Sequence, residues 1–290
     1  MAPDMKPHRW LSFAIATTLL WGVWGALIEL PEKAGFPATL GYCVWALTMA
    51  PCALVAMRIA GWKLDRDPRS ILLGSLVGFL GAGGQLLLFQ ALRTGPAYLV
   101  FPLVSLYPMV TVFLSVMILK ERAVRRSWIG IALAGPAIVL LSYQPAEGKS
   151  AALSLWTILA LIVFAAWGVQ AFFMKFSNRT MSAESIFFYM AMTGLLLAPV
   201  ALLWTDYSHP INWGWRGPYL AAAVQVLNSV GALCLVYALR YGKAMIVTPI
   251  TALAPVLTIM LSLLLYRATP GPPLVIGMVI ASVSIYLLAE

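Results

Sequence analysis

Charge is scarce in this chain: Asp, Glu, Lys and Arg make up 10% of its 290 residues, against about a quarter in water-soluble domains. A folded chain with so little polar surface cannot be an ordinary soluble domain. Histidine is scarcer still. His8 and His209 are the only two, and both lie in or beside connecting segments, which excludes a histidine-based site within the apolar spans. The three cysteines, Cys43, Cys52 and Cys234, form no CxxC pair and stand inside apolar stretches. Disulfide frameworks and thiolate metal sites are therefore not expected. A GxxxxGK[ST] loop is missing, so nucleotide hydrolysis is not the direct energy source. Clustered His, Asp and Glu of the kind a lipid-modifying enzyme would need are missing too, so no catalytic residue, metal or cofactor is expected. The net charge of +9 comes from basic residues scattered singly between apolar runs. Such scatter offers no phosphate-tracking stripe and excludes nucleic acid as the expected partner.

Apolar residue types account for 62% of the chain, and the mean hydropathy is +0.90. A membrane helix needs about 20 mainly apolar residues to cross a hydrocarbon core of about 30 Å. Ten segments meet or approach that length: roughly 10–30, 37–60, 70–93, 96–119, 126–143, 152–174, 183–204, 217–239, 244–266 and 272–289. The first is full length and carries no small-residue cleavage site, so it reads as a span rather than a leader. The fold class expected is an all-α membrane protein. With the N-terminus placed in the cytoplasm, fourteen Lys and Arg fall on the inside and five on the outside. Positive charge favours the cytoplasmic side, so both termini are expected there. Trp10, Trp62, Trp128, Trp204, Trp213 and Trp215 lie near span ends, where an aromatic belt would put them.

The chain repeats itself. Ala91-Leu92-Arg93-Thr94-Gly95 matches Ala238-Leu239-Arg240-Tyr241-Gly242 at a displacement of 147. At the same displacement Pro102 meets Pro249, Pro108 meets Pro255, and Ile129-Gly130 meets Ile276-Gly277. Trp21-Gly22-Val23 meets Trp167-Gly168-Val169 at 146. A limited apolar alphabet explains isolated Leu or Ala identities, but not these in constant register. Residues 1–147 and 148–290 read as two repeats of five helices. An odd number of spans per repeat inverts the second half, an arrangement suited to alternating access.

These motifs together resemble the EamA-type members of the drug/metabolite transporter superfamily. The Trp-Gly pairs opening each half carry the resemblance, as do the two Ala-Leu-Arg-x-Gly links between third and fourth helices. The proline-bearing fourth helix, followed by Leu119-Lys120-Glu121-Arg122 and a Gly-containing fifth helix, carries it further. It covers nearly the whole chain. It implies a basket-like bundle whose central cavity is lined by helices 1, 3, 4, 6, 8 and 9 of the ten, with helices 5 and 10 at the periphery. Family members move amino acids, other small metabolites, nucleotide-linked compounds or organic cations. This chain departs from the pattern in having Trp45 where an arginine often stands in the second helix. Near Trp21 it also lacks the buried first-helix glutamate of the related small multidrug exporters.

Polar groups deep in spans are costly and persist for function or helix packing. Candidates are Gln85, Gln90, Ser105, Tyr107 and Thr111 in the first half, and Gln170, Gln225, Asn228, Ser229, Thr248 and Thr251 in the second. Trp21, Trp24, Trp45, Tyr42, Trp167 and Tyr189 lie well inside spans, where an aromatic face can hold a cation or stack on a flat solute. The expected solute-binding set is Trp21, Trp24, Gln85, Tyr107, Trp167, Gln170, Asn228 and Thr251. Glu29, at the end of the first helix, and the equivalent residues Arg93 and Arg240 are candidates for gating or coupling. Gly78, Gly81, Gly83 and Gly84 make a small-residue face for close packing. The activity expected is secondary transport of a small polar or zwitterionic, amino-acid-like solute across a cytoplasmic (inner) membrane that the chain crosses many times. Export of aromatic or quaternary organic cations is the alternative within transport, and a non-transporting scaffold the alternative outside it. The expected partners are the solute and membrane lipid, and the chain could act as a monomer or homodimer.

Overall fold

A computed structural model describes residues 9–120, 124–142, 154–266 and 271–288, and these residues form helices and connecting turns with no strand among them. The helices of the first half are α1 (Arg9–Leu27), α2 (Leu30–Lys33), α3 (Ala38–Ile59), α4 (Pro68–Leu92), α5 (Ala97–Val104), α6 (Pro108–Leu119) and α7 (Arg125–Ser142). Those of the second are α8 (Leu155–Ser177), α9 (Ala183–Leu203), α10 (Leu220–Tyr241), α11 (Ala244–Thr251), α12 (Ala254–Tyr266) and α13 (Pro272–Leu288). A five-residue π-type turn, Trp215–Tyr219, leads into α10. Eight helical stretches among the described residues are long and apolar enough to cross a membrane, and Val275–Leu287 is a shorter apolar helix. Leu19, Leu54, Ile59, Leu72, Leu196, Leu203 and Leu264 stand exposed on the outer surface, as lipid rather than water would favour.

Local sequence sets several of the boundaries. Asp67 caps α4 by accepting from the Ser70 amide at 3.1 Å, with Pro68 at the first helical position, where its missing N–H costs nothing. Ser182 caps α9 in the same way through the Ser185 amide at 3.2 Å. The Ala-Leu-Arg-x-Gly motif ends a helix in each half: Gly95 donates its amide to Ala91 O at 2.8 Å, and Gly242 donates to Ala238 O at 2.7 Å. Gly95 and Gly242 have close neighbours. A Cβ on Gly95 would stand 2.6 Å from the Trp156 ring, and one on Gly242 2.5 Å from Val247.

The structure divides segments that the hydropathy reads as continuous. Segment 96–119 breaks into α5 and α6 at Ser105-Leu106-Tyr107, and segment 244–266 breaks into α11 and α12 at Ala252-Leu253. Pro108 opens α6 and Pro255 is the second residue of α12, and each removes one N–H from the ladder at the break. The first span turns at Ile28-Glu29 before α2, whose second residue is Pro31.

Contacts between elements come in symmetric pairs. Helix α4 packs on α8 as α10 packs on α1; α1 packs on α12 as α8 packs on α6; α4 meets α9 as α10 meets α3. Helices α7 and α13 pack on each other and close a small cluster through Ala134, Ala137, Ala281 and Ile285. Two loop contacts tie the halves together at equivalent positions. Asp65 Oδ2 accepts from the Ser182 amide at 2.8 Å and its hydroxyl at 2.9 Å. At a displacement of 147 from each, the Asn212 amide donates to Gly35 O at 2.9 Å, and Asn212 Nδ2 donates to Ala34 O at 2.8 Å. Gly35 has φ of +90°, a conformation costly for any residue with a Cβ. His8, the Glu121-Arg122 pair, the 147/148 repeat boundary, Lys149 and Arg267 lie outside the described residues.

Candidate functional site

A cavity lies at the centre of the bundle, walled by residues of α1, α3, α4, α8, α9 and α10 and by Tyr107 at the α5–α6 break. Trp21, Trp24, Gln85, Tyr107, Trp167, Gln170 and Asn228 line it. Thr251 lines a neighbouring chamber that shares Trp21, Trp24, Tyr107 and Trp167 with the cavity, and its hydroxyl meets the Tyr107 hydroxyl at 3.0 Å.

The Trp-Gly pairs have a physical reason in both halves. Trp21 Nε1 donates to Asn228 O at 3.3 Å, and Trp167 Nε1 donates to Gly81 O at the same 3.3 Å; the two acceptors are 147 residues apart. Each indole lies against a glycine one turn or less away. A Cβ on Gly231 would stand 2.6 Å from Trp21 Nε1, and one on Gly84 2.5 Å from Trp167 Nε1. The glycine beside each tryptophan admits a facing helix: a Cβ on Gly22 would meet Leu257 of α12 at 2.6 Å, and one on Gly168 would meet Val110 of α6 at 2.5 Å. Hydroxyls complete these crossings, Thr111 donating to Gly168 O at 2.9 Å and Thr258 to Gly22 O at 3.0 Å.

Elsewhere the halves differ. Trp24 Nε1 donates to Gln225 Oε1 at 3.0 Å, whereas the equivalent of Trp24 is Gln170, whose amide packs on Gly81 in close contact. Asn228 Nδ2 donates to Gln85 Oε1 at 3.3 Å, joining α10 to α4 across the cavity. Gln85 Nε2 and Trp45 Nε1 are buried and have no protein partner. Trp45, Met49 and Met190 line the cavity but are not in the sequence-derived binding set. Trp45 carries a signal in its depth within a span; the two methionines carry none that separates them from core.

The other polar candidates serve contacts away from the cavity. Gln90 pairs with exposed Arg93 at 3.1 Å, Ser229 meets Thr48 at 2.8 Å, and the Ser105 and Thr248 hydroxyls bond back to Phe101 O and Ala244 O. Of the glycine face, Gly78 packs on Thr193, Gly81 on Gln170 and Gly84 on Trp167, but Gly83 has nothing within 4 Å. Gly83 therefore lies off that face, because the helical turn carries it round to another side.

None of Glu29, Arg93 and Arg240 lines the central cavity. Glu29 pairs with Lys33 at 2.6 Å, one helical turn on. Its repeat equivalent, Lys175, donates to Leu239 O at 3.1 Å and Gly242 O at 2.6 Å. Arg93 lines a separate pocket with Glu32, Asp206 and His209. Arg240 Nη1 donates to Asn178 O at 2.7 Å and Met181 O at 2.8 Å, just beyond α8. Gly95, two residues from Arg93, packs on Trp156 at the start of that 23-residue helix. The equivalent arginines therefore sit near opposite ends of α8, a helix roughly 34 Å long at about 1.5 Å per residue.

A cavity enclosed jointly by two similar halves of a helical, lipid-adapted bundle is the plan of a membrane transporter. Residues 8–143 and 154–289 each match the EamA-like transporter family, and the chain belongs to that family. An uncharacterized protein of Methanocaldococcus jannaschii is 33% identical over 134 residues, which cover 46% of this chain and 94% of the relative. That match has the length of one repeat. A solved crystal structure is similar in fold, with a TM-score of 0.72 at 20% identity, covering 99% of this chain and 98% of the other.

Proposed function

We propose that the chain is a secondary transporter that carries a small polar or zwitterionic solute through the central cavity by alternating access. In this reading α7 and α13 complete ten spans, the two repeats are inverted, and both termini face the cytoplasm. The Asp65–Ser182 contact then lies on the cytoplasmic side and the Asn212–Gly35 contact on the outer side. One observation carries the reading. The cavity wall is built twice, by Trp21 on α10 and by Trp167 on α4, with the same donor, the same backbone acceptor position and the same glycine. Two equivalent walls allow an inward-open and an outward-open shape of similar energy, which is what alternating access requires.

Export of organic cations draws less support. Neither a carboxylate nor any other ionisable side chain except Tyr107 stands among the described residues lining the cavity, and Glu29 is engaged with Lys33. Four indoles could still hold a cation by their faces. The test is solute counterflow in proteoliposomes loaded with a panel of amino acids, nucleosides, sugars and quaternary amines. Saturable exchange of at least one polar solute is expected. Exchange of quaternary amines alone would replace the reading with the cation one, and no exchange of any solute would remove transport of these classes.

A further inference from the structure

Four indoles surround the cavity, and three have their N–H groups committed. Trp21 donates to Asn228 O, Trp167 to Gly81 O and Trp24 to Gln225 Oε1. The fourth, Trp45, is 5% exposed and its Nε1 has no partner. Gln85 is 3% exposed; its Oε1 accepts from Asn228, and its Nε2 has no partner. A buried donor left unpaired costs about 1–3 kcal/mol, so such groups persist where something else satisfies them.

The surrounding packing holds Trp45 in place. The six-membered end of its indole rests on Gly194 of α9, where an added Cβ would stand 3.3 Å from Cζ3. Its ring is tilted against Tyr42 at 5.2 Å, and Tyr42 meets Phe89 edge-on at 6.5 Å. Phe89 lies one turn beyond Gln85 on α4. Trp45 and Gln85 thus belong to adjoining stretches of two packed helices, and both line the same cavity. Their unsatisfied groups are both donors.

We infer that Trp45 and Gln85 are the specificity-determining residues of the cavity, recognising an oxygen acceptor, carboxylate or carbonyl, on a solute whose apolar body lies between the indoles. This rests on the transport reading and narrows it. A solute with only donor or cationic groups would leave both N–H groups unpaired, and rejection of solutes lacking the matching group is the stronger half of hydrogen-bond specificity. The pair does not by itself separate a carboxylate from an uncharged carbonyl, so the probes must.

The experiment measures binding to the purified full-length protein, by thermal shift and calorimetry, of phenylalanine, 3-phenylpropionate, 3-phenylpropionamide, phenethylamine and phenyltrimethylammonium. Wild type is compared with Trp45→Phe, Gln85→Met and Trp167→Phe. Acceptor-bearing probes are expected to bind wild type and to bind the first two variants about 5- to 30-fold more weakly, the cost of one hydrogen bond each. Phenethylamine and phenyltrimethylammonium are expected to bind weakly and equally to wild type and to those variants. Binding of 3-phenylpropionamide as tight as 3-phenylpropionate assigns the carbonyl; preference for 3-phenylpropionate assigns the carboxylate; both support the inference. Unaltered affinity in Trp45→Phe and Gln85→Met overturns it, as does tighter binding of the two amines, or binding of no probe. Trp167→Phe, whose indole N–H is already engaged with Gly81 O, makes the same loss of ring area without loss of a free donor and is expected to weaken the acceptor-bearing probes less than Trp45→Phe does. Solute-free melting temperatures show whether each variant is folded. Acceptor-dependent binding without counterflow in liposomes would sink the transport reading and leave this inference standing; counterflow of phenylalanine with unaltered affinity in Trp45→Phe and Gln85→Met would do the reverse.

Discussion

Trp167 and Gly84 touch where any larger residue would separate them: a Cβ on Gly84 would stand 2.5 Å from the indole nitrogen, which donates one turn earlier to Gly81 O. The same contact recurs between Trp21 and Gly231 in the other half. Each glycine sets how closely its helix approaches the cavity wall. Gly84→Val and Gly231→Val should each lower stability by about 1–3 kcal/mol, the usual cost of overpacking. Gly83→Ala, one residue away in open space, should be neutral or stabilising by about 1 kcal/mol through helix propensity. Melting temperatures of the purified variants check all three.

The hydroxyl crossings make a second symmetric pair. Thr111→Val and Thr258→Val each leave a glycine carbonyl without its side-chain donor, at Gly168 and Gly22 respectively. Interhelical bonds of this kind in membranes contribute about 0.6 kcal/mol on average and about 1.7 at most. The two losses should add in the double variant, because the pairs share no partner. Unfolding free energies in mixed micelles give the numbers; strong coupling would show that the crossings act as one unit.

The Asp65 contact predicts a pH dependence. Burial alone would raise this carboxyl's pKa. The bonds from the Ser182 amide and hydroxyl, with a contribution from the Ser185 hydroxyl, outweigh that and hold it below the usual range. A folded-state pKa below the unfolded value of about 3.9 gives a stabilisation present above that pH and lost as pH falls through the folded pKa. Wild-type melting temperature should therefore begin to fall below about pH 4. Asp65→Asn should be less stable at neutral pH and should show a shallower fall on acidification.

Much of this organisation is legible in the sequence, for a physical reason. Trp21 and Trp167, and the two Ala-Leu-Arg-x-Gly motifs, occupy positions where only those residues make the contact, so both halves keep them in register. The helix breaks are half legible. Pro102, Pro108, Pro249 and Pro255 read as kinks, but that the chain stops and restarts at Ser105–Tyr107 and Ala252-Leu253 depends on what packs there. Gly83 shows the limit of reading a face from composition, since four nearby glycines do not all point one way. Trp45 and Gln85 are candidates in the sequence by their depth in spans, but that their donors are the unpaired ones emerges only once their neighbours' bonds are traced. The Asp65–Ser182 and Asn212–Gly35 contacts join loops whose residues look interchangeable in sequence. Glu29 sits one turn before Lys33, a local spacing that outweighs its repeat relation to Lys175.

The central claim, that one cavity opens alternately to the two sides, is tested most directly by accessibility. With Cys43, Cys52 and Cys234 replaced by serine or alanine, Ala82→Cys places one small thiol in the cavity wall. In oriented proteoliposomes a membrane-impermeant thiol reagent should label that residue from either side, and a transported solute should change both labelling rates. Labelling from one side only, whatever solute is present, would contradict alternating access.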